Sequence, residues 1–133
     1  MLLIPEDGEG PAFAYTLGLF HSFGHAEVLV MGLPLEAAHK VLNLIGNKVK
    51  AGRRYTFGQE SAGLLEGQWL TFRIIKPENY DEMLGRAVRF YGGQGFPALQ
   101  CFWPDASGGF PWQEGFDEEW SGQQWLLFEP LPA

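Results

Sequence analysis

With 133 residues, 46% of them apolar and 15% aromatic, the chain has room for one folded domain with a substantial core and none for a second. Its formal charge of −7 repels phosphate backbones and argues against nucleic acid as the main partner. No apolar run approaches the roughly 20 residues of a membrane-spanning helix, and a single cysteine, Cys101, rules out a disulfide framework.

The opening MLLIPEDGEGP has neither the basic start nor the long apolar stretch of a secretory signal, so the expected compartment is the cytoplasm. Residues 13–20 (FAYTLGLF) and 26–33 (AEVLVMGL) are apolar runs joined by a short Ser- and Gly-containing loop, which predicts an antiparallel hairpin. The period then changes. Leu35, Ala38, Val41, Leu42, Ile45 and Val49 recur at helical spacing, Pro34 suits a helix start and Gly52 a helix stop.

Short strand pieces are predicted near 54–58 and 62–66, followed by a stronger strand, QWLTFRIIK, at 68–76. There the even positions Leu70, Phe72 and Ile74 alternate with Trp69, Thr71, Arg73 and Ile75 and are expected to face the core. In NYDEMLGRAVRFYGG, Asn79 is placed to cap a second helix whose buried stripe is Tyr80, Met83, Leu84, Ala87, Val88 and Tyr91. FPALQCFW (96–103) reads as a buried strand, 104–124 as a long loop and WLLFEP as a final edge strand. Together these elements predict an α+β fold: one domain, residues 1–133, with a mostly antiparallel sheet carrying two amphipathic helices on one face.

Charge is sorted along the chain. Residues 1–39 carry −5, residues 40–89 carry +4 with all nine bases, and residues 90–133 carry −6 with no base. His21 and His25 are spaced as zinc ligands would be on a helix, but Gly24 and the flanking strand runs place them in a connection, where imidazoles do not converge. No metal or cofactor is expected, and no nucleophile motif surrounds any serine or Cys101. The richest constellation is FWPDASGGFPWQEGF. Phe102, Trp103, Phe110, Trp112 and Phe116 stand there with Asp105, Glu114 and Asp117, a mixture able to wall a binding surface with rings and acids.

Four stretches, FAYTLGLFHSFGHAEVLVMGLP, GLLEGQWLTFR, FYGGQGFPALQCFWPD and GFPW, resemble in order a bacterial family known as domain of unknown function 4262. The resemblance covers roughly residues 11–117 and leaves 118–133 as an extension. Ala26 stands where the family pattern has proline. The family implies a small standalone or appended domain and supplies no mechanism, so no functional residue carries over.

Two readings follow. The first is a noncatalytic domain that binds another protein, in the manner of an immunity factor or antitoxin, with self-association also open. The second is a small-molecule or enzymatic site between the loop at 21–25 and the loop at 103–114, with Tyr15 or Arg73 nearby. The candidate contact residues are His21, His25, Trp103, Asp105, Phe110, Trp112, Glu114 and Asp117.

Overall fold

A computed structural model describes residues 2–4 and 10–129. Most of the opening MLLIPEDGEGP and the last residue of WLLFEP lie outside the described residues. Six strands form one mixed sheet: β1 (Leu2–Ile4), β2 (Phe13–Tyr15), β3 (Glu27–Met31), β4 (Glu60–Leu65), β5 (Gln68–Ile74) and β6 (Ala98–Phe102). Their spatial order is β1-β2-β3-β6-β5-β4. The pair β3–β6 is parallel and every other pair is antiparallel. Among the described residues four α-helices accompany the sheet: α1 (Leu19–Phe23), α2 (Leu35–Lys50), α3 (Tyr80–Met83) and α4 (Gly85–Tyr91). The protein is an α+β fold with a mostly antiparallel sheet.

The layers differ from the expectation of one covered face. On β3, Val28 and Val30 pack with Ala38, Val41, Leu42 and Ile45 of α2, while Leu29 and Met31 pack with Tyr80, Met83, Leu84 and Ala87 of α3 and α4. The helices therefore lie on opposite faces, and the sheet is a middle layer. This explains why all five residues of β3 and all five of β6 are buried. Central strands covered on both sides have no solvent face to fill with polar residues.

The predicted antiparallel pairing of the 13–20 and 26–33 runs forms as β2 against β3, with Phe13 opposite Met31 and Tyr15 opposite Leu29. Its connection is longer than a hairpin turn, because residues 19–23 wind into α1. Helix α2 buries the predicted stripe from Ala38 to Val49, with Leu35 half-buried, and it stops where Gly52 takes φ 103°, letting Arg53 N–H donate to Lys48 O at 2.8 Å.

The second predicted helix is broken at Leu84 (φ −125°, ψ 36°). Asn79 precedes it, but its side chain caps nothing and instead donates to Leu127 O (3.0 Å) and Glu129 O (2.9 Å). Residues 54–58 form no strand, and neither does WLLFEP as far as it is described. That last segment lies across the sheet, where its Leu127 is fully buried. On β5, Leu70 and Phe72 are buried as expected, yet Ile74 is 55% exposed. The neighbouring β4 pairs only as far as Thr71, so Ile74 lies past the end of its flank, and Ile75 turns into the opposite core instead.

Candidate functional site

Glu27, at the start of β3, is fully buried and its carboxylate accepts five hydrogen bonds. Oε1 takes Thr16 Oγ1 (2.6 Å) and Leu19 N (3.2 Å). Oε2 takes Gly18 N (2.9 Å), Phe20 N (3.3 Å) and the Tyr91 hydroxyl. Backbone N–H groups at the start of a helix have no intrahelical acceptor, and Gly18 at the cap position has no side chain to supply one. Glu27 supplies it from the sheet. A buried carboxylate without a cation needs this many donors to offset lost hydration. Burial, together with the bond to Glu27, pushes the Tyr91 phenol up to about 12.

The two histidines do not act together. His21 lies on the exposed side of α1, with its ring edge-on to Phe90 at 5.8 Å. His25 is buried; its Nδ1 faces Ala26 O at 2.8 Å and its Nε2 accepts from Tyr55 N at 3.0 Å. Those two backbone partners set the neutral ring's proton on Nδ1 and use both nitrogens. His25 ties the 53–57 segment to the loop before β3.

At the other end of the parallel pair, β6 runs into the aromatic loop. Trp103 is buried and donates from Nε1 to Met31 O at 2.8 Å. Its backbone N–H donates to Gln124 Oε1 (3.0 Å) and its carbonyl accepts from Gln124 Nε2 (2.9 Å). Asp105 is buried as well. Its Oδ1 accepts from Ser107 N (3.0 Å), Ser107 Oγ (2.8 Å) and Gly109 N (2.8 Å), and its Oδ2 accepts from Asp117 N (2.9 Å). The Asp117 N–H, the Ser107 hydroxyl and the Gly109 N–H hold its carboxyl below the usual value. This is the geometry of a turn-forming aspartate, already saturated with donors. Acid–base work by Asp105 with Glu114, which is exposed, has no support in this arrangement.

Phe110 is buried and stacks on half-buried Trp112 at 5.4 Å. Trp112 meets Phe102 (4.8 Å) and Phe128 (5.6 Å) edge-on. The Arg73 guanidinium sits 4.0 Å from the Phe128 ring centre, 4.9 Å from Trp112 and 5.1 Å from Phe57. These rings pin the loop to β5 and β6 through dispersion and cation–π attraction, about 0.5–2 kcal/mol per cation–π contact. Asp117 is exposed and caps the short turn at Glu118–Trp120 by accepting from Glu119 N at 3.0 Å.

A site between the 21–25 and 103–114 loops is not formed. Glu27 pairs with Ala98 and Val30 with Cys101 in parallel register, so one loop enters the pair at its start and the other leaves at its end. Tyr15 is buried in the core on the α3 and α4 face, and only Arg73 reaches the aromatic loop. The length of the β3–β6 pair separates the histidines from the ring cluster.

The aromatic loop and the segment after it enclose an open depression of about 590 Å³. Half-buried Pro111, Phe116, Trp125 and Leu126 line it, with exposed Glu82 and Glu129. A smaller one of about 420 Å³ lies between Trp69 and the Asp105 turn. No group of three or more metal-ligating side chains occurs among the described residues. Burial raises the Cys101 thiol far above its usual range, so it stays an unreactive core group.

The family model described as domain of unknown function, DUF4262, matches residues 1–117. The chain belongs to this family. Comparison with curated proteins and with solved structures returns no match. In this DUF4262 member, Gln124 and Leu127, beyond the matched span, are nevertheless built into the core. Fully buried Gln100 donates to Trp125 O (2.7 Å) and accepts from Leu127 N (3.0 Å). Gly32, at φ 88°, lies so close to Gln123 that an added Cβ would stand 2.4 Å from its carbonyl oxygen.

Sequence reasoning gives Asn79 a capping role and passes over the anchoring roles of Glu27, Gln100 and Gln124. Glu27 and Gln100 did leave a signal, because each is a lone polar side chain inside an otherwise apolar strand. Such a residue is tolerated only where another segment brings it partners.

Proposed function

We propose that this DUF4262 member is a noncatalytic cytoplasmic binding protein of bacteria, of the immunity or antitoxin kind, and that it holds a partner protein with the face made by residues 103–129. One observation carries the reading. The polar groups that chemistry would call on, His25, Glu27 and Asp105, are saturated by backbone and hydroxyl partners. The face itself keeps Trp112 and Phe116 half-buried and Trp120 40% exposed among exposed Glu114, Asp117, Glu118 and Glu119. Rings with an acidic surround are what protein interfaces use as anchors and steering charges. No helix among the described residues is long and apolar enough to cross a membrane.

The test is quantitative capture from the native host, comparing wild type with the double variant Glu114→Lys, Trp120→Ala. A partner recovered at stoichiometric level by wild type and lost with the variant, while both melt within about 3 °C of each other, supports the reading. Recovery of no partner, or of the same one by both proteins, contradicts it.

A further inference from the structure

We infer that the depression beside Trp125 seats a basic side chain, an arginine or lysine flanked by apolar residues, presented by a partner protein. The inference rests on the protein-binding reading above and gives that reading its chemistry. Four of the lining side chains, Pro111, Phe116, Trp125 and Leu126, are apolar, while Glu82 from α3 and Glu129 from the chain's last described position add two carboxylates. Among the described residues no lysine, arginine or histidine lines the depression. Among the described residues neither carboxylate has an ion pair, and the whole of 90–133 contributes six acids and no base.

An apolar hollow bearing unneutralised carboxylates fits a cation carried on a hydrocarbon stem, whose methylenes lie on the rings while the head meets the acids. At about 590 Å³ the hollow has room for such a side chain with apolar neighbours. The protein's field at −7 favours the approach of a positive partner and disfavours an acidic one.

The walls are held before any partner arrives, which lowers the entropy lost on binding. The Trp125 backbone N–H donates to Met31 S at 3.2 Å, and Trp125 O accepts from Gln100. Gln124 is locked to the Trp103 backbone, and Glu129 O accepts from Asn79. Gly10 leaves space for the indole, since an added Cβ there would stand 2.7 Å from the Trp125 ring. Most of the lining follows residue 117, where the family match ends, so the seat belongs to this chain's extension rather than to the shared core.

The probe is acetyl-Leu-Arg-Leu-amide titrated into the full-length ¹⁵N-labelled protein, beside its citrulline counterpart and n-butylguanidinium. Saturable shifts of the Trp125 indole N–H and the Leu126 and Glu129 amides are expected. The citrulline peptide, which has the same shape without the charge, is expected to bind about tenfold more weakly. Glu82→Gln and Glu129→Gln are each expected to weaken the arginine peptide several-fold, leaving the citrulline peptide and the melting temperature unchanged. Equal affinity for arginine and citrulline, or no shift up to about 10 mM peptide, overturns the inference. Butylguanidinium binding as tightly as the peptide overturns the protein-partner assignment in favour of a free organic cation. If the host partner is still captured through the 103–129 face while the peptide leaves the spectrum unmoved, this seat falls and the binding face stands.

Discussion

Replacing Glu27 by glutamine, a change that is nearly isosteric, is expected to destabilise the protein substantially. Both carboxylate oxygens face backbone donors: Oε1 faces Leu19 N, and Oε2 faces Gly18 N and Phe20 N. Whichever way the amide is turned, its NH₂ meets at least one N–H, which then has no acceptor. An orphaned buried donor costs about 1–3 kcal/mol. Glu27→Ala goes further, because it orphans the two fully buried donors, Thr16 Oγ1 and Leu19 N, for about 2–6 kcal/mol. The remaining three donors sit in partly buried bonds and each adds less. Against a total of about 5–15 kcal/mol, either loss is large.

Urea unfolding followed by tryptophan fluorescence measures it. With a slope of about 2 kcal/mol per M, Glu27→Gln lowers the midpoint by roughly 0.5–1.5 M. Amide exchange is expected to locate the damage at Gly18–Phe20, since a helix as short as α1 has no stability of its own. A glutamine variant unfolding at the wild-type midpoint, with α1 amides equally protected, refutes the account of this carboxylate.

Three further outcomes follow from the same reasoning. Asp105 has its carboxyl held below the usual value of 3.8, so its contribution is present above that value and is lost as pH falls through the lower folded-state value; Asp105→Asn is expected to flatten the acid limb of stability measured from pH 5 to pH 2. Tyr91 is raised from 10 to about 12, so its bond is fully stabilising below pH 10 and lost as pH rises through 12. Tyr91→Phe is expected to cost about 1–2 kcal/mol at neutral pH and to shrink the fall in stability above pH 10, to which buried Tyr15, Tyr55 and Tyr80 also contribute, read by urea titration at each pH. Gly32→Ala requires both an unfavourable positive φ and a contact with Gln123 O. It is expected to loosen residues 121–129, seen as faster amide exchange there with α2 unchanged.

Elements with a regular period were legible in the sequence. Helix α2 announced its stripe from Leu35 to Val49, and the strand pair around Ala14 and Val30 announced itself by composition. What escaped depends on contacts between distant segments. The run EVLVM is apolar at four of its five positions, a pattern of a strand covered on both faces, whereas the hairpin reading of 13–33 places a cover on one face only. Helix α1, at five residues, is too short to express a helical period, and its acceptor lies on β3. Asn79 looks like a cap by position, yet its amide partners are Leu127 and Glu129, some fifty residues away. The rings of the 102–116 stretch were visible as a group, but not that Trp103 and Phe110 are buried while Trp112 and Phe116 remain half open. The depression itself needed the fold, because its walls join α3 to residues 111–129.

The most direct test of the central claim, that this chain acts by binding through its carboxyl-side aromatic face, is amide hydrogen exchange on the complex with the partner captured from the host. Added protection is expected along residues 111–129 and α3, with α1, α2 and β4 exchanging as in the free protein. Protection confined to α1, α2 or β4, with 111–129 unchanged, contradicts it.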